Sequence, residues 1–248
     1  MNKLTEAQLA LLTKADSPTV ANVIELFESQ SRVAGYSNAT LKAIYPTLPP
    51  AVGYAVTATF RSAYPAVQSG NSGYGGMPQL IEDAMSIGEP RIIVFQDLDE
   101  PAISATYGEM MVTAFQTFGF VGLITSGAAR DIEQVRALNF PCWASGTIVS
   151  HGYNHFLASN VPVNVGGLSV QPGDLIHADA NGVVNIPHAI APMVAELCGP
   201  YMDAENLVLH YLHRPNATVA GYKQATADLR DAMSVLRKKA QTYLADAN

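Results

Sequence analysis

The chain has 248 residues, 48% of them hydrophobic, with two cysteines and a formal net charge of −7. That length and apolar content fit a folded protein with a proper core and exclude a disordered chain. The acidic balance speaks against nucleic acid as a partner, since phosphate binding needs a basic footprint, but a small anionic substrate needs only one local cation.

The first predicted element is a helix over Thr5–Lys14. A second starts at Ser17, an N-cap candidate, with Pro18 at the first helical position. Val20, Ile24 and Phe27 give it one apolar face. This charged, amphipathic start has no signal-peptide core or cleavage site. No apolar run reaches membrane-spanning length, so the expectation is a cytoplasmic protein without a membrane partner. Residues 31–50 read as loop. "VGYAVTATF", Val52–Phe60, is β-branched and aromatic and reads as a strand.

"QSGNSGYGGMPQ", Gln68–Gln79, is glycine-rich and reads as a surface loop, because it lacks the lysine and spacing of a phosphate-binding loop. A helix follows to Gly88, then a buried strand, Arg91–Leu98. In "GEMMVTAFQTFG", Met111, Ala114, Phe115 and Phe118 fall on one helical face. "VGLIT" is a short buried strand, "SGAA" a loop, and Asp131 opens the helix "DIEQVRAL". The alternation indicates an α/β fold. Short strands follow in "PCWASGTIV", "PVNVGGLSV", "DLIHAD" and "GVVNIP", with turns at Pro172-Gly173-Asp174 and Ala180-Asn181-Gly182. From His188 the chain is helical. The expected organisation is one α/β domain over 1–187 with a helical extension over 188–248, packed on the same domain or on a neighbouring subunit.

Chemistry concentrates at two points. Gly108 and Glu109 open a helix, whose free amides and dipole make an anion site. Arg130 and Asp131 sit where a strand ends and the next helix starts, and ligand crevices of α/β folds lie at such ends. A helix and a strand join the two points, so they can converge. An arginine can grip a substrate carboxylate in a bidentate fork. A carboxylate can bind a hard cation such as Mg²⁺. Asp131 also has the right type for an N-cap, with Gln134 three residues on in a capping-box pattern. Both readings stand open, and they can coexist.

Other candidates are weaker. His151 and His155 lie in a Gly-Tyr-Asn loop and do not make a zinc pair. His177 falls in a strand pattern. Cys142 and Cys198 lack C-x-x-C spacing and read as free buried thiols. No nucleophile elbow and no nucleotide-binding glycine loop is present.

Gly108-Glu109, twenty residues, then Arg130-Asp131 resembles the G-[DE]-x20-R-D signature of the RraA-like proteins. That family includes the regulator of ribonuclease activity A and the 4-hydroxy-4-methyl-2-oxoglutarate aldolases. "PVNVGGLSVQPGDLIHADANGVVNIP" also resembles the family's glycine-rich turn segment, and the resemblance spans Ser17 to Pro187. It implies a layered α/β sandwich similar to the swivelling phosphohistidine domain, assembled as homotrimers or homohexamers. It implies that Asp131 holds Mg²⁺ or Mn²⁺, that Arg130 binds the 2-oxo acid and neutralises its enolate, and that Glu109 orients a metal-bound water. The amides of Met110 and Met111, after the Gly108 turn, would take the substrate carboxylate. Glu205, from a neighbouring subunit's C-terminal helix, would complete the metal shell. The implied reaction is retro-aldol cleavage of a 4-hydroxy-2-oxo acid or decarboxylation of oxaloacetate. A non-catalytic regulatory binding protein is the alternative. Many members have Asp where this chain has Asn22, and the residues around "NSGYGGMPQ" and Asn154 also differ, so the distal substrate group is not carried over.

Overall fold

The structure is a computed structural model that describes residues 3–65 and 76–247. It divides into two compact units. One is a sheet unit, Val33–Ile186; the other is a helical unit made of residues 1–32 and 187–248. The first two helices therefore group with the C-terminal helices, where the sequence reading placed them in the α/β domain.

The helical unit contains α1 (Glu6–Leu12), α2 (Ser17–Glu25), α6 (Ala191–Leu212) and α7 (Val219–Ala247). Thr5 caps α1 in a full capping box with Gln8. Asp16, not Ser17, caps α2: its Oδ1 accepts the Thr19 amide at 2.7 Å. A carboxylate beside the helix start outcompetes the hydroxyl one residue later, and Ser17 is buried. Leu12, Val20, Val23 and Ile24 are buried in this unit, as are Val194, Leu197 and Cys198 of α6. This apolar burial is why α1 and α2 pack on α6.

The sheet unit is built on β2 (Ala51–Arg61), β3 (Arg91–Asp97), β5 (Phe120–Thr125) and β7 (Cys142–Ala144), which are parallel neighbours. β1 (Lys42–Ala43) edges β7. β12 (Leu175–Asp179) pairs the first half of β2 and β9 (His155–Ser159) the second, both antiparallel. β13 (Gly182–Ile186) follows β12. The middle strands are buried on both faces, as continuous runs such as "RIIVF" require. One face packs Val56, Phe60, Phe95 and Phe115 with α3 (Met77–Ala84) and α4 (Glu109–Thr117). The other packs Ala55, Ile92, Val94 and Trp143 with the hairpin of β10 (Val163–Val165) and β11 (Leu168–Val170). Most of the glycine-rich stretch expected as a loop, residues 68–75, lies outside the described residues; α3 starts at Met77.

Short strands at 105–107 and 128–129 escaped the sequence reading, as did β9 and also β1, which falls in the stretch read as loop. β4 (Ala105–Tyr107), β6 (Ala128–Ala129) and β8 (Gly146–Thr147) form a separate parallel sheet, with Tyr107 opposite Ala129. The "SGAA" stretch is thus partly strand. Strands of two or three residues carry too little alternation to register as a pattern. Among the described residues no helix is long and apolar enough to cross a membrane.

Candidate functional site

β4 and β6 run side by side and end together, and both chains then turn into helices. The Arg130 amide donates to the Tyr107 carbonyl at 3.2 Å and extends the pairing by one step. β4 passes through Gly108 into α4, and β6 passes through Arg130 and Asp131 into α5 (Ile132–Ala137). Two helix starts and the pair of charged residues therefore meet at the carboxyl ends of this small sheet, and the two sequence points converge as expected.

Asp131 joins them. Its Oδ2 accepts the Glu109 amide at 2.9 Å and lies 3.8 Å from Arg130 Nε. It occupies the N-cap position of α5 but makes no side-chain cap bond there. The capping reading is therefore corrected: Asp131 caps the neighbouring helix α4, whose own N-cap, Gly108, has no side chain to offer. The cause lies in the backbone. Asp131 adopts φ 55° and ψ 45°, the left-handed region, and its side chain does not reach the α5 amides.

Gly108 is held to glycine by crowding. A Cβ there would run into Asp131 Oδ2 and lie 3.0 Å from Arg130 Nε. The first amide of α4 is taken by Asp131, and the first bond within the helix is Val112 N to Gly108 O. The amides of Met110 and Met111 belong to the helix's unpaired first turn. The Met110 side chain is exposed, and Met111 is buried in the core. The Glu109 side chain is exposed, and Arg130 is half-buried. An acceptor, a cation and two amide donors are thus grouped at one point, an arrangement suited to a small carboxylic acid.

Glu205 lies on α6 in the helical unit, where burial and the nearby Asp16 raise its pKa. Asn22 of α2 is hydrogen-bonded to Tyr201 in the same unit. His151 is exposed, whereas His155 is buried at the start of β9 opposite Arg61, so they form no pair. His177 is buried in β12. Burial pushes both cysteine thiols up to about 12, in keeping with inert thiols.

The structure adds residues that the sequence did not single out. The Tyr45 hydroxyl donates to the Ile132 carbonyl at 2.9 Å, from 87 residues away. Tyr107 is buried directly before Gly108. A polar cavity of about 530 Å³ opens at the carboxyl ends of β3, β5 and β7, lined among others by Asp97, Ser126 and Ser145. Asp97 Oδ1 accepts the Asp99 amide at 2.9 Å, while Oδ2 has no partner among the described residues. Burial raises the Asp97 carboxyl to about 6. None of the candidate site residues read from the sequence lines this cavity, though Asn164, Gly166 and Gly167 of the glycine-rich turn segment do. An apolar groove between α3 and α4 does include Met110.

A model of the RraA-like family, described as Aldolase/RraA, matches residues 20–185. A Halalkalibacterium halodurans protein with the provisional name 4-hydroxy-4-methyl-2-oxoglutarate aldolase is 35% identical over 105 residues, 42% of this chain and 50% of that protein. A Xanthomonas campestris protein with the same provisional name is 30% identical over 119 residues, 48% of this chain and 69% of that one. The match spans only half the length of the first of these relatives. The fold is similar to that of an uncharacterized Pseudomonas syringae protein, with TM-score 0.71 and 19% identity over 91% of this chain and 95% of that one. It is also similar to Streptomyces coelicolor RraAS2, described as an unusual member of the RNase ES inhibitor RraA family. That likeness has TM-score 0.66 and 23% identity over 86% of this chain and all of the other.

Proposed function

The chain belongs to the RraA-like family, and from that premise we propose that it is a divalent-metal-dependent lyase that cleaves a short 2-oxo acid through a pyruvate enolate. The observation that carries this reading is the meeting of Asp131 and Arg130 at the start of α4.

Among the described residues no three His, Cys, Asp or Glu side chains are grouped to hold a metal ion. The site fits only a hard cation that keeps most of its waters, as Mg²⁺ and Mn²⁺ do with one or two carboxylates. Asp131 would hold it, with Glu205 from a second copy of the chain adding an oxygen. When bound, such a cation polarises the keto oxygen.

The rest is the work of this chain's own groups. The Met110 and Met111 amides hold the substrate carboxylate, assisted by the positive end of α4. Arg130 offers its fork to the carboxylate and keto oxygen set. Glu109, at the open side, takes the 4-hydroxyl proton through a water. The C3–C4 bond then breaks, the carbonyl product leaves, and its electron pair becomes the enolate that Arg130 offsets. Protonation at C3 gives pyruvate. With oxaloacetate the departing group is carbon dioxide and the enolate is the same, so one site serves both reactions. A protein that only covered a partner's surface would have no need of a buried-edge arginine beside a carboxylate and free helix amides, which favours the lyase over the regulatory alternative.

The test is a panel of 4-hydroxy-2-oxo acids and oxaloacetate, incubated with the purified protein and Mg²⁺ or Mn²⁺. Pyruvate release above the protein-free metal blank is expected for at least one of them. Release at the blank rate across the panel overturns the reading.

A further inference from the structure

The left-handed turn at Asp131 needs something to hold it. A non-glycine residue in that region is strained, and such strain persists only where the surroundings fix it. On one side the Arg130 amide is tied to Tyr107 O. On the other side α5 begins without a side-chain cap of its own. Tyr45 is what touches it there. Its hydroxyl bonds Ile132 O at 2.9 Å, and its ring lies 5.8 Å beneath the Arg136 guanidinium, one turn later. One buried tyrosine thus grips α5 at two points, at Ile132 directly after Asp131 and at Arg136 one turn on. Burial raises its pKa well above the ordinary phenol value, so the hydroxyl remains a donor.

We infer that Tyr45 is a positioning residue for Asp131: its hydroxyl and ring lock the first turn of α5, and so hold the Asp131 carboxylate on the Glu109 amide. This rests on the proposed function only in what Asp131 is positioned for. The bond itself is independent of that reading. A carboxylate displaced by an ångström is enough to weaken a site built on so few protein oxygens.

The experiment uses Tyr45→Phe, which keeps the buried ring and its cation–π contact and removes only the hydroxyl. Amide hydrogen exchange is followed in the full chain, together with Mn²⁺ titration by electron paramagnetic resonance. The Glu109 amide is expected to exchange roughly tenfold faster in the variant, while Val112, bonded within α4, keeps its wild-type rate. Mn²⁺ affinity is expected to fall about fivefold or more. An unchanged Glu109 rate overturns the inference. So does equal acceleration at Val112, which would mean that Tyr45 supports the fold generally. Asp131→Ala is titrated alongside. If it binds Mn²⁺ like the wild type, or if neither protein binds, the metal reading fails, and the exchange rates still decide the role of Tyr45.

Discussion

Gly108 has an extended backbone that any residue adopts, φ −152° and ψ −170°, so its requirement for glycine comes from space alone. Its hydrogen faces Asp131 Oδ2 and Arg130 Nε, and a methyl group there must displace both. Gly108→Ala is expected to reduce turnover by roughly 10²-fold or more with an unchanged circular-dichroism spectrum, because the damage is one of position. Wild-type kinetics in this variant would show that the two side chains can move without consequence. Arg130 makes the complementary point about chemistry. Lysine keeps the charge and loses the planar fork. Since the proposed enolate would develop charge beside an existing carboxylate, Arg130→Lys is expected to lower kcat by roughly 10²-fold as well as raise KM. A rise in KM with unchanged kcat would make Arg130 a ground-state anchor only.

At the scale of elements, β2, β3, β5 and α4 were legible because long buried runs and a clear helical face mark them in the sequence. β4 and β6 were not. They are two or three residues long, and they pair only with each other and with the equally short β8. The site hangs on that pair, so the sequence could name Arg130 and Asp131 without saying what brings them to Gly108. The direction of the Asp131 cap was equally hidden. Residue type and the spacing to Gln134 favoured its own helix, and only the left-handed backbone sends the carboxylate to α4. Tyr45 gave no signal, being 87 residues away from the carbonyl it binds. The carboxyl end of β3 carries a separate consequence. Asp97 is 7% exposed, and burial raises its carboxyl from 3.8 to about 6. The folded chain therefore keeps this proton where the unfolded chain has lost it. Stability from this group falls as pH rises from about 4 to about 6, by about 3 kcal/mol at most, and is level above that. Asp97→Asn removes the titrating carboxyl. The difference in Tm, wild type minus variant, is expected to drop between pH 4 and pH 7; a constant difference would place the Asp97 carboxyl at its ordinary value.

At the scale of the whole molecule, the sheet unit carries Glu109, Arg130 and Asp131, and the helical unit carries Glu205. The proposed mechanism asks for a second carboxylate near the cation, and an assembly in which Glu205 comes from another copy supplies it. Light scattering is expected to give a trimer or hexamer; a fully active, monodisperse monomer would remove Glu205 from the site. The proposed mechanism stands on the Asp131 carboxylate as the ligand of the cation. Its most direct test is pyruvate release from the best 2-oxo acid by wild type and Asp131→Ala, each measured with Mg²⁺ or Mn²⁺ and again after chelation. Turnover that chelation abolishes is expected in the wild type, and none above blank in Asp131→Ala, whose lost α4 cap costs only about 1 kcal/mol of stability. Undiminished, metal-dependent turnover in folded Asp131→Ala at ordinary metal concentration would contradict it.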